Sequence, residues 1–218
     1  MDYHVFSHSK KHDFDLELVL TALKNCPTDD GDVDLKYYLQ AYNELCRFFK
    51  LTGRLFGFVA ADLEYKITVL DKKQADDRNG QFYNTTKTMV QYELNRALTL
   101  NRGSNPSGSR TLLRLHWALE FILEFMDRIR KCSDHDKTSK IATEVYEKTL
   151  SKHHPWLTRK MAAIAVYLLP SRKDLISVMC KQDYETVLCM LDKVVHAGQE
   201  VYRLTENIYK ANNLLDIP

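Results

Sequence analysis

The stretch Ser109 to Arg130, SRTLLRLHWALEFILEFMDRIR, constrains this chain more than any other. Leu112, Leu113, Leu115, Leu119, Ile122 and Leu123, together with Trp117, Phe121, Phe125 and Met126, place apolar side chains almost all the way round a helix. A helix that is apolar on every side is a central one, covered by others. The first half breaks the pattern. Arg110 and Arg114 are four apart, so they share a face one turn from each other, and that face continues through Trp117, Phe121 and Phe125. One stripe therefore reads cation, cation, aromatic, aromatic, aromatic. It suits a ligand with an anionic head and an apolar tail. It also suits an ordinary amphipathic helix whose first turn reaches solvent, because long basic side chains extend from apolar surfaces to water.

Helical periodicity runs through the rest of the chain. It predicts helices over 14–23, 34–50, 55–72, 81–100, 138–150, 156–169, 171–181 and 184–212, with a DDRNG turn and an NRGSNPSG loop as the clearest punctuation. Ser107 or Ser109 is the expected N-cap of the central helix. Gly (7) and Pro (5) are sparse, which favours an all-α chain. No repeat or linker divides it. The expectation is one all-α domain over residues 1–218, of about eight helices, with residues 1–13 as a flexible N-terminal extension.

Charge and cysteine usage narrow the function. A net charge of +2 with no basic stripe argues against a nucleic-acid partner. Cys26, Cys46, Cys132, Cys180 and Cys189 are scattered and form no CxxC pair, so neither a zinc site nor a disulfide framework is indicated. That fits a reducing compartment. The N-terminus lacks a signal-peptide pattern. The longest apolar run, Met161 to Leu169, falls short of the ~20 residues that span a bilayer. A cytosolic protein that meets membranes from outside is expected, with no metal, no cofactor and a monomeric state.

Three further elements carry possible chemistry. Asp62 and Lys66 are four apart with the acid first, which is an ordinary surface ion-pair spacing. Their face, however, continues through Phe58, Leu55 and Val69, so the pair interrupts an apolar stripe. His154 precedes Pro155, which biases it away from helical geometry and leaves its ring at a helix junction. It is either a structural histidine or one pointed at something specific. Trp156 is either core or an amphipathic ring for a membrane interface. GxSxG, HExxH, GxxxxGK[ST] and GxGxxG are all absent. An Asp62/His154 acid–base dyad is conceivable, but no nucleophile can be named beside it.

The segments FVAADLEYKI, GSRTLLRLHWAL, KHHPWL and LLDIP resemble the glycolipid transfer protein family, within its ceramide-1-phosphate transfer branch. The resemblance extends from about Phe14 to Pro218. It implies a two-layer all-α sandwich of eight helices enclosing an apolar pocket. The implied activity is non-vesicular carriage of a sphingolipid, most simply ceramide 1-phosphate, between membranes. It implies that Asp62 accepts from the ceramide amide N–H and that His154 donates to the amide carbonyl. Lys66, Arg110 and Arg114 match the basic cluster that holds the phosphate. Where the sugar-binding branch has a stacking Trp, this chain has Arg114; where that branch has an Asn, it has Lys66. A basic residue is expected at the position of Trp117, so one outer phosphate or membrane contact is lost there. Trp156 resembles the family's membrane-facing aromatic, and Arg102, Arg159 and Lys160 are the cations expected to help it dock. The alternatives are a lipid sensor or interaction module of the same fold, or an enzyme acting on a lipid through Asp62 and His154.

Overall fold

The computed structural model describes residues 13–218. Among the described residues are nine α-helices, one for each segment that periodicity marks, and no extended strand: α1 (Leu16–Asn25), α2 (Leu35–Leu51), α3 (Gly57–Gln74), α4 (Thr86–Asn95), α5 (Gly108–Lys131), α6 (Thr138–Lys148), α7 (Trp156–Tyr167), α8 (Arg172–Met179) and α9 (Tyr184–Ala211). No helix among them is long and apolar enough to cross a membrane. The expected extension lies outside the described residues except for its last one, and that one is tied down. Asp13 pairs with Arg47 at 2.7 Å. Phe14, which follows, is buried, and its backbone exchanges hydrogen bonds with Met179 (3.1 Å) and Lys181 (2.8 Å).

Side-chain caps start most of the helices. Asp15, Asp34, Ser171 and Asp183 accept from backbone N–H groups of α1, α2, α8 and α9. Ser107 caps α5, its Oγ accepting from Arg110 N–H at 2.9 Å, so Ser109 lies inside the first turn. The helix expected over 81–100 is shorter. A Thr85–Thr88 capping box starts α4, and Gly80–Tyr83 form a separate 3-10 turn. The far end closes where Ala97 takes a positive φ of 54° and Leu98 N–H donates to Glu93 O at 2.8 Å.

The layers close on themselves. α1 packs on α2, α2 on α3, α3 on α5, α5 on α9, and α9 returns to α1, while α6 packs on α5 and α7 on α6. α5 is central, as its apolar circumference requires. Its start is anchored by Glu93 of α4, which is fully buried. Glu93 Oε1 accepts from Gly108 N–H (2.6 Å) and Tyr83 O–H (3.1 Å). Oε2 accepts from Ser107 O–H (2.6 Å) and Ser109 N–H (3.0 Å). The Arg110 amide donates to Ser107 Oγ, and the N-cap amide of Ser107 itself donates to Asn101 O at 3.0 Å. All four orphan donors of the first turn are thus satisfied within the chain, and the carboxylate sits where the helix dipole favours it. The fit requires glycine: a Cβ on Gly108 would lie 2.8 Å from Met89 Sδ and 2.9 Å from Tyr83 Cε1.

Candidate functional site

Between the helices lies a cavity of about 790 Å³, lined by side chains of α2, α3, α5, α7 and α9 among others. The whole stripe of α5 faces it: Arg110, Arg114, Trp117, Phe121 and Phe125. The three aromatic rings are only half-buried although they sit inside the sandwich, because one side of each meets open space. The rest of the wall is apolar, with Phe48, Phe49, Val59, Ile122 and Leu169 representative.

Five polar residues from three elements gather at its rim. α3 contributes Asp62 and Lys66, which form an ion pair. It is the i,i+4 pair that the spacing predicts, but Lys66 is only 14% exposed and both residues line the cavity. The junction between α6 and α7 contributes His154. A 3-10 turn, Ser151–His153, ends there, and Pro155 holds His154 in an extended conformation (φ −105°, ψ 138°). His154 Nδ1 lies 2.8 Å from Tyr146 Oη. Burial pushes the Tyr146 phenol up, with Arg159 opposing, so it stays protonated. Burial pushes the His154 imidazole down, opposed by Asp62 and aided by Lys66. The ring is therefore neutral near pH 7 and presents one donor and one acceptor nitrogen.

α5 contributes the cations. Arg114 donates to Arg110 O at 3.0 Å and to Ile217 O at 3.2 Å. Arg110 Nε donates to the backbone oxygen of Pro218, the last residue of the sequence. Burial, with the like charges of Arg110 and Arg102, lowers the Arg114 guanidinium to about 10. Burial and Arg102 lower Arg110 too, against Tyr65. Among the described residues no Asp or Glu side chain forms an ion pair with either arginine. The two carbonyls on Arg114 satisfy part of its geometry and none of its charge. Partly desolvated cations in that state favour an anionic ligand.

The other four expected residues stand apart from the cavity wall. Arg102 is exposed on the loop before α5, and its charge is felt at Arg110 and Arg114. Trp156 opens α7 and is 63% exposed, which removes the reading of it as core. Lys160 Nζ sits 5.8 Å from its ring centroid, and Arg159 and Lys160 are exposed. Leu157, Ile164 and Tyr167 are exposed further along the same helix.

Two partners escaped the sequence reading. Tyr146 reads there only as an apolar position of α6. His153 stacks on Trp117, ring centroids 3.7 Å apart and planes 6° from parallel. Neither has a spacing signal, because each meets its partner through the tertiary fold.

An apolar chamber whose rim gathers an acid, a histidine and three basic side chains defines a helical lipid-binding protein. The chain belongs to the glycolipid transfer protein family, whose model, described as glycolipid transfer protein (GLTP), matches residues 33–181. A ceramide-1-phosphate transfer protein of Danio rerio is 38% identical over 208 residues, covering 94% of this chain and 98% of the relative. The apo form of mouse ceramide-1-phosphate transfer protein superposes with a TM-score of 0.87 at 33% identity, covering 94% of this chain and all of that one (100%). The human protein in complex with 2:0 ceramide-1-phosphate gives 0.87 at 29% identity, with 94% and 100% covered. The fold is the all-α one of that family.

Proposed function

We propose that this chain carries ceramide 1-phosphate between membranes, taking the phosphate and amide at the rim and the hydrocarbon in the cavity. The observation that carries the reading is the pair Arg110 and Arg114, facing an apolar chamber with no Asp or Glu side chain ion-paired to either among the described residues. Arginine binds phosphate oxygens bidentately, and Lys66 adds a point charge. Asp62 accepts from the amide N–H, and His154 donates from Nε2 to the amide carbonyl. Together they supply paired partners for groups whose burial otherwise costs several kcal/mol. The chains need only an apolar sleeve. At ~0.8 kcal/mol per methylene, a long-chain lipid escapes into water very slowly without one.

The proposed work is binding and carriage, with no bond made or broken and no metal or cofactor. Trp156 enters the headgroup layer, and Arg102, Arg159 and Lys160 meet anionic lipid. A modest net charge of +2 keeps that contact local and reversible. A monomer in the cytosol suits this cycle.

The test is mass spectrometry of the lipids that co-purify with the protein, alongside vesicle-to-vesicle transfer of ceramide 1-phosphate. Intact phospho-sphingolipid and saturable transfer support the reading. Lipid bound without transfer favours a sensor, and chemically altered lipid favours an enzyme.

A further inference from the structure

The cation that faces the cavity is one end of a three-part stack. Arg114 Cζ lies 5.0 Å from the centroid of the Trp117 ring. Trp117 in turn stacks on His153 at 3.7 Å and 6°. Arg114 and Trp117 belong to α5, while His153 ends the 3-10 turn before α7. His153 is the residue immediately before His154. The stack is therefore a tie across the rim, from the arm that bears the arginines to the arm that bears the amide-recognition histidine.

We propose that Trp117 and His153 are positioning residues for head-group binding. Trp117 fixes the plane of the Arg114 guanidinium on one side and, through His153, the backbone that aims His154 on the other. This rests on the head-group reading above and adds two residues to it. Three observations support it. The guanidinium is also held by two carbonyls, those of Arg110 and Ile217, so its remaining freedom is rotation away from the indole. The imidazole is neutral at physiological pH: burial with Lys152, His154 and Arg114 lowers it to about 4, against Asp216. A neutral ring stacks on the indole without adding repulsion toward Arg114. Finally, both rings line the cavity, so the tie lies where the ligand enters rather than deep in the core.

The geometry makes a specific demand on energetics. Aromatic stacking and cation–π contact contribute on the scale of about a factor of ten in affinity when they fix a binding group. Because the two rings act as one device, removing either removes most of it, and removing both adds little.

The experiment is calorimetric titration of a short-chain ceramide 1-phosphate in detergent into Trp117→Ala, His153→Ala, the double variant, His153→Phe and Arg114→Leu, with a thermal melt of each. The expected result is a roughly tenfold weaker Kd for either alanine variant with a folded melt. The double variant should be no more than about twofold worse than the poorer single. His153→Phe, which keeps a stacking face, should recover most of the affinity. Wild-type affinity in His153→Ala, or losses that simply multiply in the double variant, overturns the proposal. If Arg114→Leu binds as tightly as wild type, the phosphate reading falls and the positioning role falls with it. If Arg114→Leu fails to bind while both alanine variants bind normally, only the positioning role is lost.

Discussion

Tyr146 Oη and His154 Nδ1 lie 2.8 Å apart, so the phenol of α6 constrains the rim imidazole from one side. Tyr146→Phe removes that constraint without changing the shape of the wall. The expected outcome is a loss of about 1 kcal/mol in binding every ceramide-based ligand, whatever its head group. Asp62→Asn and His154→Leu should weaken the same set more strongly, from the two sides of the amide. Competition titrations with ceramide and ceramide 1-phosphate check this. A variant that loses only the phosphorylated ligand contradicts the amide roles.

Arg114→Leu removes a charge-assisted contact and leaves the apolar wall in place. Transfer of ceramide 1-phosphate between vesicles should fall by at least about tenfold, since a charged hydrogen bond contributes on the order of 1.5–3 kcal/mol. Circular dichroism should be unchanged. Full transfer by a folded variant rejects the phosphate assignment.

Trp156 is 63% exposed, and surface substitutions of that kind shift stability by less than about 0.5 kcal/mol. Trp156→Ala should therefore melt like the wild type, slow vesicle transfer, reduce vesicle binding and retain ligand in detergent. Charge reversal at Arg159 or Lys160 should weaken docking on anionic vesicles and lose its effect in high salt. A large drop in melting temperature with normal vesicle binding speaks against a docking role.

Acid should destabilise the fold in a defined window. The folded state holds His153 at about 4 and lowers His154 below its ordinary value, whereas unfolded histidine titrates near 6.5. Between those values the unfolded chain binds more protons, so stability is complete above about pH 6.5 and is lost as the pH falls toward 4. Both rings are partly open to solvent, so screening keeps the loss below what full burial gives. Denaturant melts at pH 7 and pH 5 measure it. His153→Phe should flatten the slope.

Glu93 is closed off from water, with Lys73 Nζ 4.0 Å from its Oε1. Glu93→Ala strands Gly108 N–H, Ser109 N–H and two hydroxyls, each costing about 1–3 kcal/mol when left unpaired. A loss of several kcal/mol is expected, read as a fall in the denaturation midpoint. Glu93→Gln should recover only part of it, since its amide nitrogen presents donors to donors.

The central helix and its stripe were legible because apolar periodicity and the Arg110–Arg114 spacing depend on local geometry alone. The pairing of Asp62 with Lys66 followed from the same rule. α4 was misjudged because Phe82, Tyr83, Leu98 and Leu100 prolong an apolar pattern past both helix ends. The Thr85–Thr88 box was the signal that would have placed its start. Glu93 was invisible because an acid on a short helix reads as solvated, and only the approach of α5 shows where it points. The gathering of His154 beside α3, and the seat of His153 on Trp117, depend on how α6 and α7 fold back. No residue spacing encodes that, and for the site residues the family resemblance supplied what periodicity could not.

The engagement of every first-turn amide of α5 by Glu93 and Ser107 has an evolutionary corollary. Helix starts are ready-made seats for anions, and here that seat is already occupied by the chain itself. Under the proposed function, discrimination among head groups then falls to the long side chains of the rim. Such a rim can be rewritten one codon at a time while the architecture beneath it is inherited intact.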